Sequence, residues 1–112
     1  MTSFRAVALG LTLALGPLAT MASADDHGLE QVLVESADTP AEHQALAKHY
    51  KHLAEKAKSE AAAHRAMAKS YGGVKYASAK AMSDHCDKLA SLADQEAAQY
   101  DSLAAAHEAA AK

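Results

Sequence analysis

Between Thr39 and Tyr71 the apolar positions return every seven residues. One column holds His43, Tyr50, Ala57, His64 and Tyr71, the next Leu46, Leu53, Glu60 and Met67, and a third Ala47, Ala54, Ala61 and Ala68. A sevenfold period sustained this long predicts a helix packed lengthwise on a partner helix. The opposite face, with Lys48, Lys51, Glu55, Lys58, Arg65 and Lys69, reads as solvated. Thr39-Pro40-Ala41-Glu42 is a helix start, with a threonine cap, a proline at the first helical position and a glutamate that completes a capping box. The strongest break signal downstream is Gly72-Gly73. A second helix is predicted from about Val74 to Ala111, burying a stripe of Met82, His85/Cys86, Leu89, Leu92/Ala93, Glu96, Tyr100, Leu103 and His107. Each helix would run about 50 Å. The fold class is therefore all-α: an antiparallel hairpin of two long helices over residues 39–112. Two such hairpins would bury both faces as a four-helix bundle, so the pattern predicts a homodimer or a hairpin docked on a protein partner.

Residues 25–38 form a separate amino-terminal arm. Leu29, Val32 and Leu33 fit helical spacing, while Val32 and Val34 fit a strand, and the arm reads as either a short helix or an extended segment. Ahead of it, Arg5, an apolar run from Ala6 to Ala19 and the small-residue pattern Ala22-Ser23-Ala24 predict a cleaved signal peptide over residues 1–24. The run is too short to span a bilayer, and no later stretch is apolar enough for membrane insertion. The expected mature chain starts at Asp25 and resides in a bacterial periplasm.

Removing the signal takes away Arg5 and moves the formal net charge from −3 to −4. The remaining charges are interspersed, which argues against nucleic acid as a partner. Twenty-four of the 88 expected mature residues are alanine, and large apolar side chains are few. So thin a core calls for close helix packing, self-association or a bound metal. A single cysteine, Cys86, rules out an intramolecular disulfide but leaves an intermolecular one open.

The candidate chemistry lies on either side of the glycine pair. Glu60, His64 and Met67 share one helical stripe, and Met82, His85 and Cys86 share another. Closing the hairpin between Tyr71 and Val74 would set His64 opposite the neighbourhood of Met82, and Glu60 opposite His85 and Cys86. Thiolate and thioether donors favour Cu(I), and imidazole suits copper and zinc. Met67 and Met82 tip the set toward copper, because zinc sites are built from Cys, His and carboxylate. His64 and Cys86 would be the principal ligands, with Met67, Met82 and His85 auxiliary and Glu60 orienting a histidine. The competing reading makes the methionines core filler and Cys86 a small buried hydrophobe. In a second group, with His43 near it, His49, His52 and Glu96 have the donors for Zn(II) or Cu(II), and the favoured reading is of partly solvated histidines, one of them bonded to Glu96. His27, third from the expected new amino terminus, has the spacing of an amino-terminal Cu(II) or Ni(II) chelate.

Thr39-Pro40-x-Glu42-His43, His64-x-x-Met67-Ala68-x-x-Tyr71 and Met82-x-x-His85-Cys86-x-x-Leu89 together resemble a group of small exported proteobacterial helical proteins. That resemblance covers most of the expected mature chain and implies a helical fold and export, with no activity attached. In general shape the chain is also similar to periplasmic stress chaperones of the Spy and CpxP kind, whose Leu-Thr-x-x-Gln repeats it lacks. No Gly-rich phosphate loop, nucleophile elbow or two-histidine metalloprotease motif is present, and the chain is read as a non-enzyme. The expected function is periplasmic handling of a soft metal, most simply buffering or handover of copper, with zinc the alternative ion. The rival is a cofactor-free interaction module or holdase-type chaperone.

Overall fold

A computed structural model describes residues 26–112, and the signal-peptide reading of residues 1–24 lies outside them. Helix α1 spans Asp26–Ser36, α2 Pro40–Gly72 and α3 Ala79–Ala110. The undecided arm is therefore a helix. No described helix is long and apolar enough to cross a membrane.

The start of α2 follows the sequence closely. The Thr39 hydroxyl accepts from the Glu42 amide at 3.3 Å, and the Glu42 carboxylate accepts from the Thr39 amide at 2.8 Å. Glu42 also takes the Asp38 amide at 3.0 Å, and these amide and hydroxyl donors hold its carboxyl below the usual range. A cap of this kind is worth about 1 kcal/mol.

The far end differs from expectation. α2 stops at Gly72, but α3 begins at Ala79 instead of Val74, leaving a loop over residues 73–78. Gly73 keeps an ordinary right-handed backbone (φ −88°). It ends the helix through low propensity, not through a left-handed turn. Val74 and Tyr76, branched and aromatic, extend that weak stretch. The added loop length moves the whole register. His43 meets His107, Tyr50 stacks on Tyr100, and the Ser83 hydroxyl donates to the Ala68 carbonyl at 3.0 Å. Stepping by heptads between these fixed points pairs Ala57 with Ala93, His64 with Cys86 and Tyr71 with Ala79.

The buried face of α3 matches the expected stripe in part: Cys86 and Ala93 are buried and Tyr100 and His107 half-buried, but the large apolar positions are not. Ala79, Cys86, Ala90, Ala93, Ala97 and Ala104 are buried against Ala47, Ala54, Ala57, Ala61 and Ala68 of α2. Leu89 stays 46% exposed and Leu92 59% exposed, and Met82 and Leu103 are also on the surface. Facing alanine columns let two helices approach more closely than leucine knobs would, and gain continuous dispersion contact along the seam. One flank of that seam is tied by three ion pairs a heptad apart, Lys51–Glu108, Lys58–Asp101 and Arg65–Asp94. These lysines and the arginine belong to the face predicted as merely solvated. Being exposed, the pairs add little stability, but they favour this antiparallel register over neighbouring ones.

Larger side chains gather only toward the open end. Leu46, Tyr50 and Ala104 form a small core, with Ala37, Leu53 and Tyr100 packed against it. α1 reaches this core through Glu30, which accepts from the Tyr50 hydroxyl at 2.8 Å. Burial and that carboxylate push the Tyr50 phenol up to about 12.

Candidate functional site

The observed register brings some of the predicted site residues together and separates others. His64 and Cys86 occupy one layer of the seam. Cys86 is a free, buried thiol, and His64 is partly buried. The His64 Nδ1 is sealed from solvent, and no hydrogen bond reaches it. Burying such a group unpaired is costly, so the position favours anything that supplies a partner. Met67 and Met82 fall in the adjacent layer toward the loop, 43% and 40% exposed, and the Met82 sulfur accepts from the Tyr76 hydroxyl at 3.4 Å. The methionines are therefore not core filler.

His85 and Glu60 do not join that layer. His85 precedes Cys86 by about 100° of helix rotation and is exposed. Glu60 lies about one turn further along α2, level with Ala90, and shares a shallow cleft with Lys56 and Glu96 instead of facing Cys86. The expected meeting of Glu60 with His85 and Cys86 fails because the loop over residues 73–78 is longer than a closure at Val74 would allow. Among the described residues no three His, Cys, Asp or Glu side chains gather closely enough to hold a metal ion. What remains at the closed end is one imidazole, one thiol and two thioethers. Cys86 is also shut within the hairpin seam, so an intermolecular disulfide would require the helices to part.

The second histidine group rearranges as well. His49 Nε2 lies 3.6 Å from Glu30 of α1, within ion-pair range but beyond a hydrogen bond, and is otherwise unpartnered. Glu96, its expected partner, instead accepts from the Tyr100 hydroxyl at 3.1 Å. His52 is exposed. His27, on α1, sits 4.0 Å from Glu30. His27, Glu30, His49 and Glu96 share a cavity of about 220 Å³ at the α1 junction.

At the open end His43 and His107 meet across the hairpin, Nδ1 to Nδ1 at 3.0 Å, with ring centroids 5.2 Å apart. Both lie on the predicted helical stripes, but their pairing needs the register and was not read from the sequence. His107 also stacks on Tyr50 at 5.6 Å. Burial first, and the neighbouring His43 second, hold the His107 pKa below its ordinary 6.5. The sign follows from the neutral form being favoured in the fold: the contribution is present above 6.5 and is lost as pH falls through the lowered folded value. Chemical denaturation of the wild type should therefore show a midpoint that falls as pH drops below the ordinary histidine value of 6.5, flattened in His107→Gln. An unchanged slope in the variant would assign the acid sensitivity elsewhere.

No family model matches the chain, and no match is found among curated proteins or solved structures. The class that the described residues define is an all-α helical hairpin with a short leading helix.

Proposed function

We propose that the closed end of the hairpin binds a soft transition metal, Cu(I) in preference to zinc, for buffering or handover in the periplasm, without catalysis. His64 and Cys86 are the principal ligands, and Met67 and Met82 complete a soft donor set from the adjacent layer. The observation that carries this reading is the unpartnered His64 Nδ1 in the same layer as a free, buried thiol. Cys86 also packs in the alanine seam, but the His64 Nδ1 has no partner there, and imidazole with thiol and thioether is the donor mixture that selects Cu(I). His85, beside the site on the surface, is an auxiliary donor that a side-chain rearrangement brings in. Glu60, one turn away in the cleft with Lys56 and Glu96, stands outside the donor set.

The test is an anaerobic titration of reduced protein with Cu(I) against a chromophoric chelator, beside Cys86→Ser and His64→Ala. Stoichiometric uptake is expected in the wild type, weakened by about 100-fold or more in each variant, since loss of outer-shell partners alone costs about 10- to 100-fold. No competition with the chelator, or uptake that survives both substitutions, overturns the assignment.

A second reading is favoured by the apolar surface of α3. Leu89, Leu92 and Leu103 recur at helical spacing on an uncovered face, and α1 adds exposed Leu29, Val32 and Leu33. Isolated exposed leucines are ordinary, but a periodic stripe of them suits a helical partner. On this reading the hairpin is a cofactor-free interaction module or holdase, or pairs with a second copy to complete a four-helix bundle. The stripe begins at Leu89, one turn from Cys86 and on the same side of α3 as Met82 and His85, so a partner seated on it would also cover the auxiliary donors.

A further inference from the structure

The open end of the hairpin carries its own chemistry, at the opposite end from the site proposed above. His43 stands one residue beyond the capping glutamate in the first turn of α2, and His107 in the last turn of α3. Their Nδ1 atoms converge at 3.0 Å. We propose that His43 and His107 form a clamp for a borderline divalent metal ion, of the Zn²⁺ class, that staples the two helix ends together, with water in the remaining coordination positions.

Three observations support the clamp. The first is the spacing. Bonds of about 2.0–2.1 Å from zinc to imidazole nitrogen put two ligands about 2.9 Å apart at a right angle and about 3.4 Å apart in a tetrahedron. The observed separation, which is also that of an N–H···N hydrogen bond between the two rings, falls between these limits, so a bound ion would take the place of the shared proton. The second is preorganisation. His107 is stacked on Tyr50, Tyr50 on Tyr100, and the Tyr50 hydroxyl is fixed by Glu30. His43 follows directly on the capping box, and its amide bonds the Thr39 carbonyl at 3.1 Å. Ligands held in place lose less freedom when they bind. The third is the state of the nearby carboxylates. Glu42 is engaged by the Thr39 and Asp38 amides, and Glu108 by Lys51. Glu42 is thereby committed to the helix cap, while Glu108 is held only by an exposed ion pair, so the clamp is a two-imidazole site whose remaining positions water fills.

The test uses Cys86→Ser protein, so that the closed-end thiol cannot contribute. Zn²⁺ is titrated calorimetrically into this protein, into the same background carrying His43→Gln, and into that carrying His107→Gln. One ion per chain is expected in the background, with binding weakened by more than the roughly 10- to 100-fold seen for loss of outer-shell partners in each double variant. Histidine side-chain NMR of the background protein, which needs no further substitution, should show Zn²⁺ shifting the His43 and His107 resonances ahead of those of His49 and His52. Absence of binding overturns the clamp, as does binding that both glutamine variants retain or an NMR response confined to other histidines. Because Cys86 is absent throughout, failure here leaves the Cu(I) proposal standing, and success does not rescue it.

Discussion

Tyr50→Ala is expected to remove a large share of the stability of the hairpin. Tyr50 is the largest side chain in the buried seam, packed among Leu46, Ala104, Leu53 and Tyr100 and stacked on His107. Truncating a buried aromatic to alanine costs about 3–5 kcal/mol. At about 0.05–0.15 kcal/mol per residue a domain of this size holds roughly 4–13 kcal/mol in total, so the loss is a large share of it. Beyond this small core the seam is alanine apart from Cys86, and it cannot collapse into the space. Tyr50→Phe separates the ring from the hydroxyl. It keeps the stack and removes the bond to Glu30, for which about 1.5–3 kcal/mol is the usual scale of a hydrogen bond to a charged group. Most of that cost should fall on α1, whose link to the hairpin runs through Glu30. Urea denaturation followed by circular dichroism reads the global loss, and amide exchange in α1 reads the local one. An alanine variant within about 1 kcal/mol of wild type would show that the open-end core does not carry the fold.

The second large effect concerns the seam between α2 and α3 and the uncovered face of α3. Ala61 has no exposed surface and sits in the seam opposite Ala90. Ala61→Leu forces added volume between helices that touch through methyl groups, with a typical overpacking cost of about 1–3 kcal/mol. Leu92 is 59% exposed, and in an isolated hairpin its replacement would change stability by less than about 0.5 kcal/mol. If the leucine stripe pairs two copies, Leu92→Glu should instead abolish association in light scattering and remove the dependence of the melting temperature on protein concentration. Helical circular dichroism should survive Leu92→Glu. A monomeric wild type at all concentrations would remove the four-helix bundle and leave the stripe to another partner.

These contrasts show how much of the molecule was legible in the chain. Thr39, Pro40 and Glu42 specify the start of α2 because a cap is a local arrangement of neighbouring residues. The all-α class and the antiparallel hairpin follow from the sevenfold columns and the glycine pair. The columns also name the buried face of α2, whereas the stripe read on α3 misplaces its leucines: leucine outweighs alanine in any count of apolar area, yet the alanines let the backbones close and win the seam. α1 was undecided because its helical and strand patterns coincide, and Glu30 of α1 reaches Tyr50 across a separation no local pattern reports.

The candidate site divides in the same way. The sequence by itself supplied the donors, a lone thiol with histidine and methionine at helical spacing, since ligand chemistry belongs to residue types. Which donors meet was decided by the tertiary structure alone. The loop over residues 73–78 sets the register, and a shift of a few residues turns a helix face by a large angle and slides each layer past its neighbour. Through that register His64 came to share a layer with Cys86, Glu60 was carried a turn away, and His43 was brought against His107.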